Sequence, residues 1–224
     1  MILLAVDTAT TSCSVALLRD RNLLAETVYT AGNTHSRHLM AMIDGLLTSC
    51  GLSAADVDAI GVSRGPGTFT GLRIGISTVK GLAMAIHAPV VGVSSLAALA
   101  FPFRHHDGPV VPMIDARRGE IYHICYEHGA NIPDGVGDAA VDLPAAVAAT
   151  LPPKAILVGS GAVLYRELFA ARCPGARLAD PSQHVIRAAA VGLLALERML
   201  RQDVDTIGCL VPHYVRKSDA QIHR

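Results

Sequence analysis

One pattern constrains this chain more than any other, because it occurs twice. Residues 2–7 (ILLAVD) form an apolar run that ends in a carboxylate, and a polar turn leads from it into a second apolar run, Cys13–Leu18. Residues 110–115 (VVPMID) end the same way, and the turn Ala116–Gly119 leads into Ile121–Tyr126. Continuous apolar runs of this length read as strands buried on both faces. Each half then alternates between strand and helix. In the first, a third strand Leu23–Tyr29 is followed by a helix from about Thr34 to Cys50 with a Gly51 stop, and Ser53–Asp56 has capping-box form. Strand Ala59–Ser63, a Gly/Pro loop, a helix over Thr70–Ile86 and strand Val90–Val93 complete it. The second half continues with a helix around Leu143–Leu151, a strand Ala155–Val158, a Gly-Ser-Gly turn, and helices near Val163–Ala171 and His184–Arg201. Internal self-similarity of this kind predicts a duplicated α/β fold. Its lobes are expected at residues 1–105 and 106–224, with the boundary near Phe103–Gly108.

Charge narrows the function classes. Lys and Arg total 19, as do Asp and Glu, so the net charge is zero. A chain that grips nucleic acid alone needs a clustered excess of cations, which this one lacks. Charged residues are only 17% of the chain and apolar ones 51%, which excludes disorder and points to surface that a partner covers. The five cysteines are widely spaced and form no CxxC pair, which disfavours a disulfide framework or a zinc site and fits a reducing cytoplasm. Asp7 interrupts the N-terminal apolar run too early for a signal peptide. Gly81–Phe103 runs for 23 residues without Asp, Glu, Lys or Arg, yet His87, Pro89, Ser94, Ser95 and Pro102 punctuate it, so it reads as soluble core rather than a membrane span.

Three segments are candidates for chemistry. The loop Ser63–Arg73 joins a strand to a helix. It reads either as an anion cradle at a helix start or as a structural connection in which glycine permits close packing. It matches neither GxxxxGK[ST] nor GxGxxG, and the structural reading is favoured. Asp7, Thr8, Thr10 and Ser12 have the chemistry to hold a metal-bound triphosphate in a hairpin turn, or simply to satisfy the turn. The matching turn carries Asp115 but places Arg117 and Arg118 where a phosphate cradle needs small residues, so a degenerate pocket is favoured over a working one. Gly159 and Gly161 mark a strand–turn–helix crevice. His35 and His38 are three apart, with no third ligand at recognisable spacing, so no metal site is expected. No GxSxG occurs, and no cysteine sits in a setting that would activate it.

The helix Thr70–Ile86 carries an inner stripe of Leu72, Ile76, Val79, Ala83 and Ile86, while Gly71, Ile74, Gly75, Gly81, Leu82 and Ala85 keep the rest apolar. A helix apolar nearly all round needs cover on more than one side. The helix before it adds Met40 and Met42, and Met suits adaptable interfaces. Together they predict a protein–protein interface, one that Gly75→Glu is expected to disrupt while the monomer stays folded.

The segments MILLAVDTATTSCSVALL, SRGPGTFTGLRIGISTVKGLA, PMIDARRGEIY and PHYVRKSDA together resemble the TsaB (YeaZ) family, over residues 1 to about 220. The resemblance implies the actin/sugar-kinase/Hsp70-like (ribonuclease H-like) fold, α/β with two similar halves. It implies a cytoplasmic, non-catalytic role in making N6-threonylcarbamoyladenosine at position 37 of tRNAs that decode ANN codons. The partners it implies are TsaD, the transferase, in a heterodimer, and the ATPase TsaE. Transfer RNA is met through the assembled complex, and a homodimer is possible in isolation. No cofactor of its own is implied; ATP or ADP and a metal ion belong to the partner proteins. The family is related to M22 glycopeptidases but is not proteolytic. Its pairing surface, carried onto this chain, is Leu39, Met42, Ile43 and Leu46 with Gly71, Ile74, Gly75, Thr78 and Leu82. Asp7, Thr8, Thr10, Asp115, Gly159 and Gly161 then form a vestigial nucleotide crevice, and the basic tail, His213, Arg216, Lys217 and Arg224, reads as solvated. The rival readings are an autonomous ATP-dependent enzyme of the same superfamily and a peptidase acting on the TsaD-type partner.

Overall fold

The computed structural model describes residues 1–30, 35–127 and 139–215. Two five-stranded sheets carry the molecule. The first contains β1 (Ile2–Asp7), β2 (Cys13–Arg19), β3 (Asn22–Tyr29), β4 (Ala59–Gly65) and β5 (Val90–Ser94), in the order β3-β2-β1-β4-β5. The second contains β6 (Val110–Asp115), β7 (Ile121–His123), β8 (Ala140–Asp142), β9 (Ile156–Val158) and β10 (Arg177–Leu178), in the order β8-β7-β6-β9-β10. In each, the first strand pairs antiparallel with the second and parallel with the fourth. The duplication expected from the sequence is thus a duplication of topology.

The helices are α1 (His35–Ser49), α2 (Phe69–Ile86), α3 (Ser95–Ala100), α4 (Pro144–Thr150), α5 (Ser160–Leu164), α6 (Arg166–Arg172) and α7 (Ala188–Leu200). Side chains alternate across a strand, so a strand apolar at every position must be covered on both faces. In β1, Leu4 and Val6 face α1 and α2, packing with Leu39, Ile43, Ile76 and Val79. Leu3 and Ala5 face the other way, onto Val191, Leu194 and Ala195 of α7. Val111, Met113 and Leu157 of the second sheet pack with Val147, Ala162 and Phe169 from α4 to α6.

The position of α7 departs from the expected division of the chain. Although it follows the second lobe in sequence, α7 lies across β1, β2, β4 and β5 of the first sheet. The approach is close: a Cβ on Gly192 would stand 2.5 Å from Leu18 Cδ1 and 3.1 Å from Leu3 Cδ2. From α7 the chain continues as a strap along the edge of β5. The Asp205 N–H donates to Val90 O at 2.9 Å, and the Gly92 N–H donates to Asp205 Oδ2 at 2.8 Å. Arg198 donates to Gly92 O at 2.7 Å and pairs with Asp203 at 2.7 Å. Leu210 is fully buried in the first lobe, and the His213 N–H donates to Arg64 O at 2.7 Å. The first lobe is therefore residues 1 to about 105 plus α7 and the strap.

Smaller differences have local causes. The run Ile121–Tyr126 pairs only as far as His123, and Tyr126 then forms a two-bond bridge to Val110. One helix was expected near Val163–Ala171; the chain instead forms α5 and α6, broken at Tyr165 (φ −109°, ψ 25°). The edge strands β8 and β10 are three and two residues long, too short for a periodic signal. Gly81–Phe103 resolves into the end of α2, β5, α3 and a 3₁₀ turn. Helix α2 is long and apolar enough by composition to cross a membrane, but its inner stripe is buried on β4 and α1. Leu210→Ala is expected to cost about 2–5 kcal/mol, the usual range for a buried Leu truncation, read as a lower urea midpoint for the whole protein.

Candidate functional site

The β1–β2 turn is pressed against the start of α2. The Thr68 N–H donates to Ala9 O at 2.7 Å, and the Thr8 hydroxyl donates to Gly71 O at 2.7 Å. Thr68 caps α2, its hydroxyl accepting from the Gly71 N–H at 3.2 Å. A Cβ on Gly67 would meet Ala9 O at 2.3 Å, one on Gly71 would meet Thr8 O at 2.0 Å, and one on Gly75 would meet Thr8 Oγ1 at 2.3 Å. The GPGTFTGLRIG segment owes these glycines to contact with its own chain. The favoured structural reading of the loop accounts for them.

Beneath the turn, Asp7 is fully buried. Its Oδ1 accepts from the Ser63 hydroxyl in a short hydrogen bond and from the Ala9 N–H at 3.2 Å, while Oδ2 has no partner. Burial pushes its pKa up to about 7 against the lowering effect of those bonds, and the same burial, with Asp7 nearby, pushes the Cys13 thiol up to about 12. A metal-bound triphosphate needs an accessible carboxylate and free turn hydroxyls. Asp7 is covered, and Thr8 is committed to α2, so the turn does not fit that group.

Between the two hairpin turns lies a cleft of about 770 Å³. Thr10, Thr11 and Thr68 line it from the first lobe, and Ile114, Asp115, Arg117, Ser160, Val163, Leu164, Arg166, Leu178 and His184 line it from the second. Thr10 shares a 2.9 Å hydrogen bond with Ser12. Asp115 accepts from the Arg117 N–H at 2.8 Å and pairs with its guanidinium at 3.3 Å. Both Arg117 and Arg118 have left-handed backbone, at φ 61° and 56°. Gly159 (φ 108°) has no room for a side chain, since a Cβ would meet Met113 O at 2.3 Å; at Gly161 it would lie 2.9 Å from Ile121 Cγ2. Nδ1 of His184 accepts from the Gly159 N–H at 3.0 Å, which leaves Nε2 to donate to Ala179 O at 2.9 Å. That arrangement needs the neutral imidazole, and burial lowers the His184 pKa in the same sense. Of the six expected crevice residues, Thr10 and Asp115 line the cleft, Asp7 and Thr8 lie behind it, and the two glycines serve packing.

The helix pair is the second candidate. Leu39, Ile43, Leu46, Gly71 and Gly75 are buried within the chain, so they cannot form its outer surface as expected. Met42, Ile74, Thr78 and Leu82 are half-buried. The exposed ridge of α2 is instead Thr70, Arg73, Ser77, Gly81 and Met84, with Met40, Asp44 and Gly45 on α1. Helical phase explains the difference, because a helix apolar all round does not reveal which face is inner. Gly75→Glu would strike Thr8 and damage the fold, so it does not test assembly. Above the helix start, Phe69 stacks on Tyr214 at 5.5 Å, Arg73 lies 3.8 Å over the Phe69 ring, and the Arg73 Nε–H donates to the Tyr214 hydroxyl at 3.1 Å. Sequence reasoning missed this contact, which joins residues far apart in the chain.

His38 packs against Tyr29 with the rings tilted by 33° and their centroids 5.2 Å apart; the side chain of His35 and residues Arg216, Lys217 and Arg224 lie outside what the structure describes. Among the described residues, no three His, Cys, Asp or Glu side chains converge as a metal set.

The model of the family described as TsaD: tRNA N6-adenosine threonylcarbamoyltransferase matches residues 29–224. The tRNA threonylcarbamoyladenosine biosynthesis protein TsaB of Bacillus subtilis is 39% identical over 128 residues, 57% of this chain and 56% of that protein. The chain thus spans about half the length of the curated relatives it matches. YeaZ from Pseudomonas aeruginosa superposes with a TM-score of 0.80 at 35% identity, over 95% of this chain and 99% of that one. An activator of 2-hydroxyisocaproyl-CoA dehydratase from Clostridium difficile shares the fold alone, with a TM-score of 0.53 at 10% identity over 92% and 99% of the two chains. The two-lobed architecture is that of the actin and sugar-kinase class.

Asp7 yields a signed pH prediction. Its folded pKa, about 7, lies above the unfolded value of 3.8, so it favours folding most below pH 3.8 and loses that contribution as pH rises to about 7. At about 1.4 kcal/mol per pKa unit, Asp7→Asn is expected to gain roughly 3–4 kcal/mol over the parent between pH 4 and pH 8. Urea unfolding of both proteins across that range checks it.

Proposed function

Because this chain belongs to the TsaB (YeaZ) family, within the wider TsaD family, we propose that it is a non-catalytic subunit of the cytoplasmic machinery that makes N6-threonylcarbamoyladenosine at position 37 of ANN-decoding tRNAs. In this reading it forms a heterodimer with a TsaD-type transferase and activates it. The pair then admits the ATPase TsaE. Transfer RNA is bound by the assembly, which agrees with the zero net charge of this chain. The nucleotide and the metal ion used in the chemistry sit on the partners, and the helix-pair surface also supports a homodimer when no partner is present.

The observation that carries this reading is the outer face of α1 and α2. Gly45 and Gly81 lie inside these helices with open space where a side chain would project. A glycine there costs about 1 kcal/mol relative to Ala, and nothing among the described residues requires it. Met40 and Met84, 50% and 63% exposed, protrude from the same two helices. Small residues admit another helix closely, and Met adapts to what it meets. A catalytic reading has less support: Asp7 is sealed, Thr8 is committed to α2, and Asp115 is held by Arg117.

Light-scattering mass after mixing the chain with its cognate TsaD-type protein tests the proposal. A one-to-one heterodimer is expected. Gly81→Glu places charge on the exposed ridge and raises helix propensity by about 0.5–1 kcal/mol, so the variant should melt no lower than the parent yet form no heterodimer. Two folded proteins that do not associate would overturn the accessory role.

A further inference from the structure

We infer that a pocket at the β10 edge of the second sheet binds a free α-amino acid with a large apolar side chain. The pocket holds about 340 Å³, within the range of small-molecule sites. It lies between α6 and the chain that leads into β10, and it shares Arg166 and Leu178 with the interlobe cleft while its other walls are its own. The inference goes beyond the accessory role and does not depend on α1 or α2.

The walls are apolar, and two of them are small. Leu157 and Phe169, both buried, form the floor, and Leu178, 43% exposed, stands open beside them. Ala170 on α6 and Ala176 before β10 face the same space. A larger apolar residue at either position would fill it, and wall atoms that face a void lose their packing partners. An unfilled pocket of this kind favours an apolar guest. The Cys173 thiol, also in the wall, donates to Ala148 O at 3.2 Å, and burial raises its pKa, so the pocket offers binding rather than covalent chemistry.

The rim specifies the head of that guest. Arg166 and Glu167 line the pocket and are exposed, and neither side chain has a hydrogen bond or ion pair among the described residues. Adjacent helical positions point about 100° apart, so the two do not pair with each other. A small molecule that carries both charges can meet both. A fatty acid would set its carboxylate beside Glu167, and an alkyl amine would set its ammonium beside Arg166. An α-amino acid offers a carboxylate to the flat Arg166 fork and an ammonium to Glu167 from one carbon, which leaves its side chain to enter the pocket.

Isothermal titration of the full chain with L-leucine and L-phenylalanine tests this. Saturable one-site binding of at least one is expected. Glycine, 4-methylpentanoic acid and 3-methylbutylamine, which lack the side chain, the ammonium and the carboxylate in turn, should bind much more weakly. Arg166→Gln and Glu167→Gln are each expected to weaken binding by about tenfold or more with an unchanged melting temperature. Ala170→Leu, which fills the pocket, should abolish binding and melt no lower than the parent. Failure of both amino acids to bind overturns the proposal. So does equal binding of any of the three truncated ligands, or binding that all three folded variants retain in full.

Discussion

Everything in the first lobe depends on how closely the backbone of the β1–β2 turn can approach α2. The carbonyls of Ala9 and Thr8 sit where the side chains of residues 67 and 71, respectively, would be, and the Thr8 hydroxyl sits where that of residue 75 would be. Glycine at all three positions lets the helix lie down on the turn. With that approach fixed, α2 can cover Leu4 and Val6, Asp7 is sealed from water, and Thr68 both caps the helix and holds the Ala9 carbonyl. One cost is visible: a carboxylate oxygen left without a partner in the interior, a costly arrangement.

The fold was largely legible because its signals are local and repeated. Apolar runs that end in Asp7 and Asp115 announce the two first strands, and the polar turns after them announce the hairpins. What escaped was long-range. Nothing in the composition of residues 188–200 says which sheet they cover, since an Ala- and Leu-rich helix suits either. Edge strands of two or three residues carry no period. The candidate interface was legible as a pair of helices but not as a set of residues, because α2 is apolar on nearly every side. Its inner and outer faces differ by contact with the turn, which hydrophobicity does not record. Gly75 shows the distinction well: in sequence it resembles Gly81, yet one is pressed on Thr8 and the other faces open space.

The same short hairpin serves two surfaces. Its inner side grips α2, whose outer ridge is offered for docking, and its outer side contributes Thr10 and Thr11 to the interlobe cleft. Both surfaces are therefore built on one hairpin. The apolar composition also finds its explanation here. Both faces of the first sheet are covered by helices, so most of its strand positions are buried, and the helices that cover it keep apolar side chains on their outer faces as well.

The return of α7 to the first sheet bears on how the protein is made. A ribosome releases β1 to β5 with α1 and α2 able to cover one face, while Leu3, Ala5 and Leu18 remain bare on the other until the whole second lobe has been synthesised. The nascent first lobe is thus a half-dressed sheet, the kind of intermediate that aggregates or recruits chaperones. Its completion waits on contacts of high sequence separation, which slow folding. The lobe that is translated first is finished last.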